Sequence, residues 1–187
     1  MTRFRRADLS RVQTISIKKR KSKVRLSDFA RPFDGERGRF ASFVDTLPRI
    51  LVANDLRTLV RDIVRSRRSN KPVLLMMGAH VVKVGLAPLV VDLLERDILT
   101  AVAMNSAAAI HDVETALWGK TSEDVAVNLL DGTFGMARET GEFINQTLTD
   151  AHRNTDLGYG EALGEKLLHM KAPHGTMSIL ATACRLQ

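Results

Sequence analysis

Apolar residues recur along part of the chain at the spacing of an amphipathic helix. Between positions 56 and 64 they fall at every third or fourth place, on one face of a helix: Leu56, Leu59, Val60, Ile63 and Val64. The same spacing returns in "GLAPLVVDLLER" (85–96), where Pro88 suits a first helical turn. The pattern therefore predicts two helices, each with one buried face.

A short, continuous apolar run follows each of these helices. "VLLMM" (73–77) lies between Pro72 and Gly78, and "ILTAVAM" (98–104) follows Asp97. Runs of this length without alternation are typical of strands buried on both faces of a parallel sheet. The order helix, strand, helix, strand, helix predicts an α/β fold, in which a right-handed crossover joins parallel strands and helices flank the sheet on both faces.

The chain after Gly119 changes to helical patterns alone. Four segments without strand signals follow, at 121–130, 136–152, 158–170 and 175–187, and Thr121 or Ser122 is the predicted cap of the first. Two strands make a small sheet, because doubly wound folds normally have about five or six. We therefore expect an incomplete Rossmann-like sheet. A partner subunit could complete it, but we favour a chain that is the N-terminal part of a longer domain.

Basic residues are concentrated at the beginning of the chain. Residues 1–26 contain ten Lys or Arg and one acid, whereas the remainder has 18 basic and 20 acidic residues. This division predicts a basic leader over 1–26 and a single α/β domain over 27–187. The leader suits a solvated extension, which we favour, or a nuclear-localisation patch, a nucleic-acid arm or a contact for anionic lipid. Phe4 is its one aromatic residue, so it lacks the stacking platform of single-strand binders.

The sequence excludes several classes of protein and site. No apolar run reaches the ~20 residues of a membrane-spanning helix, and no signal-peptide pattern follows the basic start. Cys184 is the single cysteine, which excludes an internal disulfide and a thiolate metal cluster and agrees with a reducing compartment. The chain has no GxGxxG, Walker A, HExxH or CxxC motif. We expect a cytoplasmic protein without a membrane partner and without a metal site.

Polar side chains follow each predicted strand. The segments "GAHVVKVG" (78–85) and "NSAAAIHD" (105–112) are predicted loops at the carboxyl ends of the strands, where open α/β sheets bind ligands. Their small residues would let backbone approach a ligand closely, and the helix N-termini behind them suit anions. The polar side chains of the two loops are His80, Lys83, Asn105, Ser106, His111 and Asp112.

His111 and Asp112 are the strongest candidates for a chemical role. We expect His111 to face the crevice and Asp112 to orient His111 or the backbone, with the regions near His80 and His111 bordering the same hollow. Each residue also has a simpler interpretation. His80 and Lys83 suit an ordinary surface pair, and Asp112 suits an acid near a helix N-terminus. Spacing alone predicts a crevice and leaves the reaction open.

Residues 78–117 resemble, without gaps, a region of deoxyhypusine synthase and its prokaryotic relatives. In that family a loop close to T-S-N-x-I-S-S-G precedes a helix, a strand and either A-G-G-x-E-E-D or G-A-N-x-x-H-D. Gly85 and the pair His111-Asp112 fall in register with the second form. The segments "SKVRLSDF" (22–29) and "PHGTMSILATACRLQ" (173–187) are also similar to parts of such proteins.

The resemblance implies an NAD-binding α/β fold, a tetramer, and transfer of the aminobutyl group of spermidine to an amine. By register it assigns His111, with Asp112 beside it, to catalysis near the nicotinamide and the polyamine. The family's imine-forming lysine lies in a later segment, so we expect this chain to be catalytically incomplete, and Lys83 is not that lysine. The implied cofactor contacts are Ala79, His80, Val81, Val82, Lys83, Asn105, Ser106 and Ala107.

The predicted function is therefore that of a deoxyhypusine synthase-like protein, which uses NAD to transfer an aminoalkyl group from a polyamine to an amine acceptor. Two alternatives remain open. One is a non-catalytic nucleotide- or polyamine-binding module, and the other is an oligomeric interaction protein whose basic leader binds nucleic acid. Stabilisation by NAD would favour the first two interpretations. Salt-sensitive DNA binding that depends on the leader would favour the last.

Overall fold

The computed structural model describes residues 10, 25, 27, 29–32, 39–130 and 132–187. Most of the basic leader predicted for residues 1–26 lies outside this part of the chain. Contacts group the chain into two compact units, Met1–Val60 and Arg61–Gln187. Within the described ranges, no helix combines the length and the apolar character that crossing a membrane requires.

The first unit contains helix α1 (Phe40–Thr46) and the beginning of α2 (Leu51–Arg68). Arg57 of α2 binds the carbonyl groups at the end of α1. Its Nη2 donates to the carbonyl oxygens of Val44 and Leu47, both at 2.7 Å, and its Nη1 donates to that of Pro48 at 3.0 Å. A guanidinium has five N–H donors, so one side chain can bind several carbonyl oxygens near the end of a helix. The helix predicted around 56–64 is confirmed as part of α2.

Two parallel strands form the sheet of the second unit. Strand β1 (Leu74–Met77) pairs with β2 (Ala101–Met104), with Leu74 opposite Ala101 and Met77 opposite Met104. Helices α3 (Ala79–Lys83) and α4 (Ala87–Glu95) connect the strands, and Pro88 lies in the first turn of α4. The parallel pair and its crossover helix are confirmed. They form a small parallel sheet in a helix-rich unit, which is compatible with the α/β class.

The prediction that these strands are buried on both faces is wrong. Both strands alternate exposed and half-buried residues, so the sheet has one open face. Leu74 and Met76 expose 54% and 75% of their surface, whereas Leu75 and Met77 pack against the core. A continuous apolar run does not show which residues face inward, because it lacks the alternation that would mark one face as polar.

Helix α5 (Ser106–Trp118) contributes to both apolar clusters of the second unit. Ala108 packs in one cluster with residues of α4 and α9 (Ile179–Arg185). Ala109, Val113 and Ala116 pack in the other with residues of α7 (Arg138–Asn154) and α8 (Tyr159–His169). Each of these four residues exposes at most 2% of its surface. Their small side chains let the neighbouring helices approach closely. The segment "NSAAAIHD" therefore forms the first turns of a buried helix.

The prediction of ligand loops at 78–85 and 105–112 is accordingly wrong. Helix α3 begins directly after Gly78, and α5 begins directly after Asn105. Small residues in a sequence are compatible both with backbone approach to a ligand and with close helix packing. Here helix packing accounts for Ala108 and Ala109, which are buried, whereas Ser106 and Ala107 are exposed.

The predicted helical character after Gly119 is confirmed. The helices are α6 (Val125–Leu130), α7 (Arg138–Asn154), α8 (Tyr159–His169) and, after a 3-10 turn at Gly175–Met177, α9 (Ile179–Arg185). The predicted cap at Thr121 or Ser122 is wrong, because the Asp124 carboxylate accepts the hydrogen bond from the Val127 N–H at 3.2 Å. Helices α8 and α9 approach closely at Gly164, where a Cβ atom would lie 2.6 Å from the Leu180 carbonyl oxygen.

Asp112 joins α5 to the beginning of α9. Its side chain is fully buried, and its carboxylate accepts hydrogen bonds from Ser178 Oγ at 2.6 Å, Ile179 N at 2.8 Å and Leu180 N at 3.1 Å. The two N–H groups belong to the first turn of α9, where no carbonyl of the same helix can accept their hydrogen bonds. Burial raises the pKa of Asp112, and the three hydrogen bonds act in the opposite direction. The carboxylate thus satisfies donors that would otherwise be buried without a partner.

We expect Asp112→Ala to lower the free energy of unfolding by about 3 kcal/mol or more, because the hydroxyl of Ser178 and two backbone N–H groups lose their acceptor in the core. Urea denaturation followed by circular dichroism measures this change. The control is Asp156→Ala at an exposed position, expected within about 0.5 kcal/mol of the wild type. A loss similar to that of the control would contradict the tie between α5 and α9.

Candidate functional site

A cleft lies along the side of α5 that carries His111 and Glu114. These residues are three positions apart on the helix, so they share one face. Helix α7 and residues from 120–125 and 134–137 supply the other walls. We call this space the His111 cleft. It has two lobes of about 620 and 560 Å³ that share His111, Glu114 and Thr140, and each is large enough for a small organic ligand.

Hydrogen bonds connect His111, Glu114 and two threonines in the wall of the cleft. His111 Nδ1 lies 2.6 Å from Thr121 Oγ1, and that hydroxyl donates to Glu114 Oε2 at 2.5 Å. Thr140 Oγ1 of α7 donates to the other carboxylate oxygen, Oε1, at 3.1 Å. About a fifth of each of the His111 and Glu114 side chains is exposed. Both groups are therefore held in fixed positions and remain accessible from the cleft.

The first lobe, which we call the Trp118 lobe, has an aromatic wall and a rim with one acidic and one basic residue. Trp118 and Ile110 form its apolar wall, and Glu139 and Lys120 lie on the rim. The Glu139 carboxylate accepts a hydrogen bond from the backbone N–H of Glu139 itself and lies beside the Arg138 guanidinium. Both interactions lower the pKa of Glu139. Glu139 therefore remains an anion over a wide pH range.

The second lobe, which we call the Lys83 lobe, is lined by residues of α3, α5 and α7. Lys83 comes from the last turn of α3, and Phe134 and Tyr159 add aromatic surface. Burial raises the pKa of Tyr159, so its phenol stays neutral at physiological pH. Helix α3 packs against α5. The two helices that follow the parallel strands thus bring Lys83 and His111 to the same cleft.

Carboxylates outnumber ammonium groups around the cleft. Three acids line its two lobes, Glu114, Glu123 and Glu139, against the two lysines Lys83 and Lys120. The Glu123 carboxylate is engaged by the Asn128 amide and the Gly135 N–H at 2.6 and 2.8 Å. Among the described residues no group of three or more His, Cys, Asp or Glu side chains has a geometry that could hold a metal ion. Glu139 forms an ion pair with Arg138 at 3.0 Å, so Glu114 is the carboxylate of the cleft that best suits a ligand with positive charge and some apolar surface.

The structure brings only some of the predicted site residues to the cleft. His111 and Lys83 line it, whereas His80 is exposed and lies outside its lining. Ala79, Val81 and Val82 pack in the apolar core. Of the two regions expected to border one hollow, the region near His111 lines the cleft, and the region near His80 contributes Lys83 but not His80.

The predicted residues at the end of β2 lie at the beginning of α5. Asn105 is the N-cap, and its Oδ1 accepts from the Ala108 N–H at 3.0 Å. Ser106 and Ala107 are exposed in the first helical turn. Asp112 is turned into the core and has no surface toward the cleft, so it orients helices rather than the His111 ring.

Sequence reasoning missed Glu114, Thr121 and Thr140. Glu114 had a recognisable signal, because it lies three residues after His111 on a predicted helix. Thr121 and Thr140 had none, because they follow the end of α5 and reach Glu114 from 7 and 26 positions away along the chain.

Comparison of the chain with protein-family models, with curated proteins and with solved structures gives no match.

The turn that carries Thr121 into the cleft begins at Gly119. Gly119 has the left-handed φ of +66° at the end of α5, and a Cβ atom there would lie 2.8 Å from Nε2 of His174. Ser122, which also lines the cleft, has a φ of +66° as well, a conformation that costs a non-glycine residue about 1 kcal/mol or more. The geometry of this turn therefore depends on glycine at position 119.

We expect Gly119→Ala to lower the free energy of unfolding by about 1–2 kcal/mol, because alanine is strained in the left-handed conformation and the His174 side chain must move away from the new Cβ atom. Equilibrium urea unfolding measures the loss. Gly141→Ala is the matched control, since it lies within α7 with open space around a new Cβ atom, and we expect it to raise stability by about 0.5–1 kcal/mol. Equal effects of the two alanines would show that the turn does not need glycine.

Proposed function

We propose that the second unit binds a cationic amine in the His111 cleft and an NAD-type dinucleotide at the adjoining strand ends, as part of a deoxyhypusine synthase-like, Rossmann-like domain. The observation that carries the proposal is that Lys83 and His111, from the helices that follow two parallel strands, line one cleft together with Glu114. Ligands of open α/β sheets bind beyond the carboxyl ends of the strands. Lys83 follows the end of β1 by six residues, and His111 follows the end of β2 by seven.

The composition of the cleft supports the amine. A polyamine such as spermidine combines ammonium groups with methylene segments. Glu114 and Glu139 offer carboxylates to the ammonium groups, and the face of Trp118 attracts a cation as well. Ile110 gives the methylene segments an apolar surface. The Glu114 oxygens each accept one hydrogen bond from a threonine, which leaves each oxygen able to accept another from an ammonium N–H.

The strand ends support a phosphate-containing cofactor in part. Ser106 and Ala107 are small and exposed in the first turn of α5, where backbone N–H groups and the helix dipole favour a phosphate. Lys83 adds a positive charge from α3. Ala79, Val81 and Val82 face the core, so only their backbone could contribute. The groups of this chain that would contact the pyrophosphate of NAD are thus the backbone N–H groups at Ser106 and Ala107 and the side chain of Lys83.

Bound NAD would supply a hydride acceptor for oxidation of the amine. The residues of this chain would bind and orient the amine: Glu114 would hold an ammonium group and His111 would lie beside it. Under the resemblance on which this proposal rests, the aminoalkyl group passes to an amine acceptor, and the intact family proteins form tetramers. A module that binds these ligands without transferring the group is the alternative that the same cleft supports.

We expect spermidine to raise the melting temperature of the chain, and Glu114→Gln to weaken its affinity by about tenfold or more, because the variant loses one carboxylate–ammonium contact. Isothermal titration calorimetry measures the dissociation constants. Glu165→Gln, an exposed acid on α8 outside the cleft, should leave the affinity unchanged. Equal weakening by both variants would indicate nonspecific attraction between spermidine and an acidic surface.

We expect NAD at millimolar concentration to raise the melting temperature, and His111→Ala and Lys83→Ala each to reduce this shift. Lys71→Ala, an exposed lysine before β1, is the control for loss of positive charge. No shift with NAD would remove the cofactor from the proposal and leave the amine site. Absence of binding by both ligands, together with DNA binding that requires residues 1–26 and falls steeply with salt, would favour the nucleic-acid-binding alternative.

A further inference from the structure

The Thr121 hydroxyl lies between a carboxylate and an imidazole. It is 2.5 Å from Glu114 Oε2 and 2.6 Å from His111 Nδ1, and the direct separation between Nδ1 and Oε2 is 3.8 Å. The threonine thus bridges two groups that are too far apart for a hydrogen bond of their own. Thr140 holds the second carboxylate oxygen at 3.1 Å and so fixes the orientation of Glu114 from the opposite side.

The number of available protons determines which group donates in each of these hydrogen bonds. An ionised carboxylate can only accept, so the single Thr121 proton points to Glu114. The Thr121 oxygen can then only accept a hydrogen bond from His111. The Nδ1 atom must therefore carry a proton in order to donate that bond. A neutral imidazole protonated at Nδ1 has its lone pair at Nε2. The opposite direction, with Thr121 donating to Nδ1, would require a protonated Glu114.

We infer that Thr121 is a positioning residue that couples Glu114 to His111 and fixes the Nδ1–H tautomer, so that Nε2 is the nitrogen that His111 offers to a ligand. Nε2 has no hydrogen-bond partner within the described residues. The arrangement is a carboxylate–hydroxyl–imidazole relay, in which the threonine takes the place of the direct contact between acid and histidine.

The relay gives His111 a defined role as a base. Nε2 can accept a proton from an N–H or O–H group of a ligand, and the electron pair of the broken bond stays on the ligand. The resulting imidazolium keeps its Nδ1–H bond to Thr121, and its charge lies near the Glu114 carboxylate. This inference concerns the site of the proposed function and rests on that function only for the identity of the ligand.

The tautomer can be measured in the ligand-free chain. Two-bond 1H–15N correlation spectra of 15N-histidine-labelled protein, recorded at alkaline pH where imidazole is neutral, distinguish Nδ1–H from Nε2–H. We expect Nδ1–H for His111 in the wild type. Thr121→Val, which keeps the shape and removes the hydroxyl, should reduce the ratio of Nδ1–H to Nε2–H by about five- to tenfold. Thr121→Ser should restore it.

The exposed His169 serves as an internal reference, because its ratio should be the same in all three proteins. An Nε2–H tautomer at His111 in the wild type would overturn the inference, and so would a ratio unchanged in Thr121→Val. Circular dichroism establishes that the variants fold. If Thr121→Val does not fold, the wild-type spectrum decides alone. Because the spectra need no ligand, the relay and the binding of NAD or spermidine succeed or fail separately.

Discussion

The buried carboxylate of Asp112 determines which side of α5 faces the cleft. Its three hydrogen bonds to Ser178, Ile179 and Leu180 fix the rotation of α5 relative to α9. Neighbouring residues on an α-helix are about 100° apart, since a turn has 3.6 residues. When Asp112 points into the core, His111 must therefore point away from that direction. Asp112, a buried acid outside the cleft, thus determines the position of the candidate site.

The same rotation places the buried residues of α5 on one side of the helix and the cleft residues on another. The buried positions Ala109, Asp112, Val113 and Ala116 follow the i, i+3, i+4, i+7 pattern of a buried face. His111 and Glu114 fall between them, on the side where α7 and the turn after Gly119 leave space. Because the small residues let α5 pack deeply against its neighbours, the cleft side is held by a rigid element. Rigid support of this kind is what a preorganised site requires.

The sequence predicts the local elements well and their exposure poorly. The helical spacing in 56–64 and 85–96 and the apolar runs at 73–77 and 98–104 mark elements that the structure contains. The two predicted ligand loops are helices, because alanines that allow close approach of a ligand equally allow close approach of a helix. His111 could be predicted from its place after β2, and Glu114 from its spacing to His111. Thr121 and Thr140 could not be predicted, because tertiary packing alone brings them to Glu114.

Glu114 takes part in both the proposed amine site and the relay, because its oxygens have enough lone pairs for both sets of hydrogen bonds. Each oxygen has two lone-pair positions, and each accepts one hydrogen bond from a threonine. An ammonium group can therefore bind Glu114 without displacing Thr121 or Thr140. A charged carboxylate keeps the Thr121 proton directed toward Glu114. Binding of an amine at the remaining lone pairs of Glu114 is therefore compatible with the arrangement that leaves His111 Nε2 free to accept a proton.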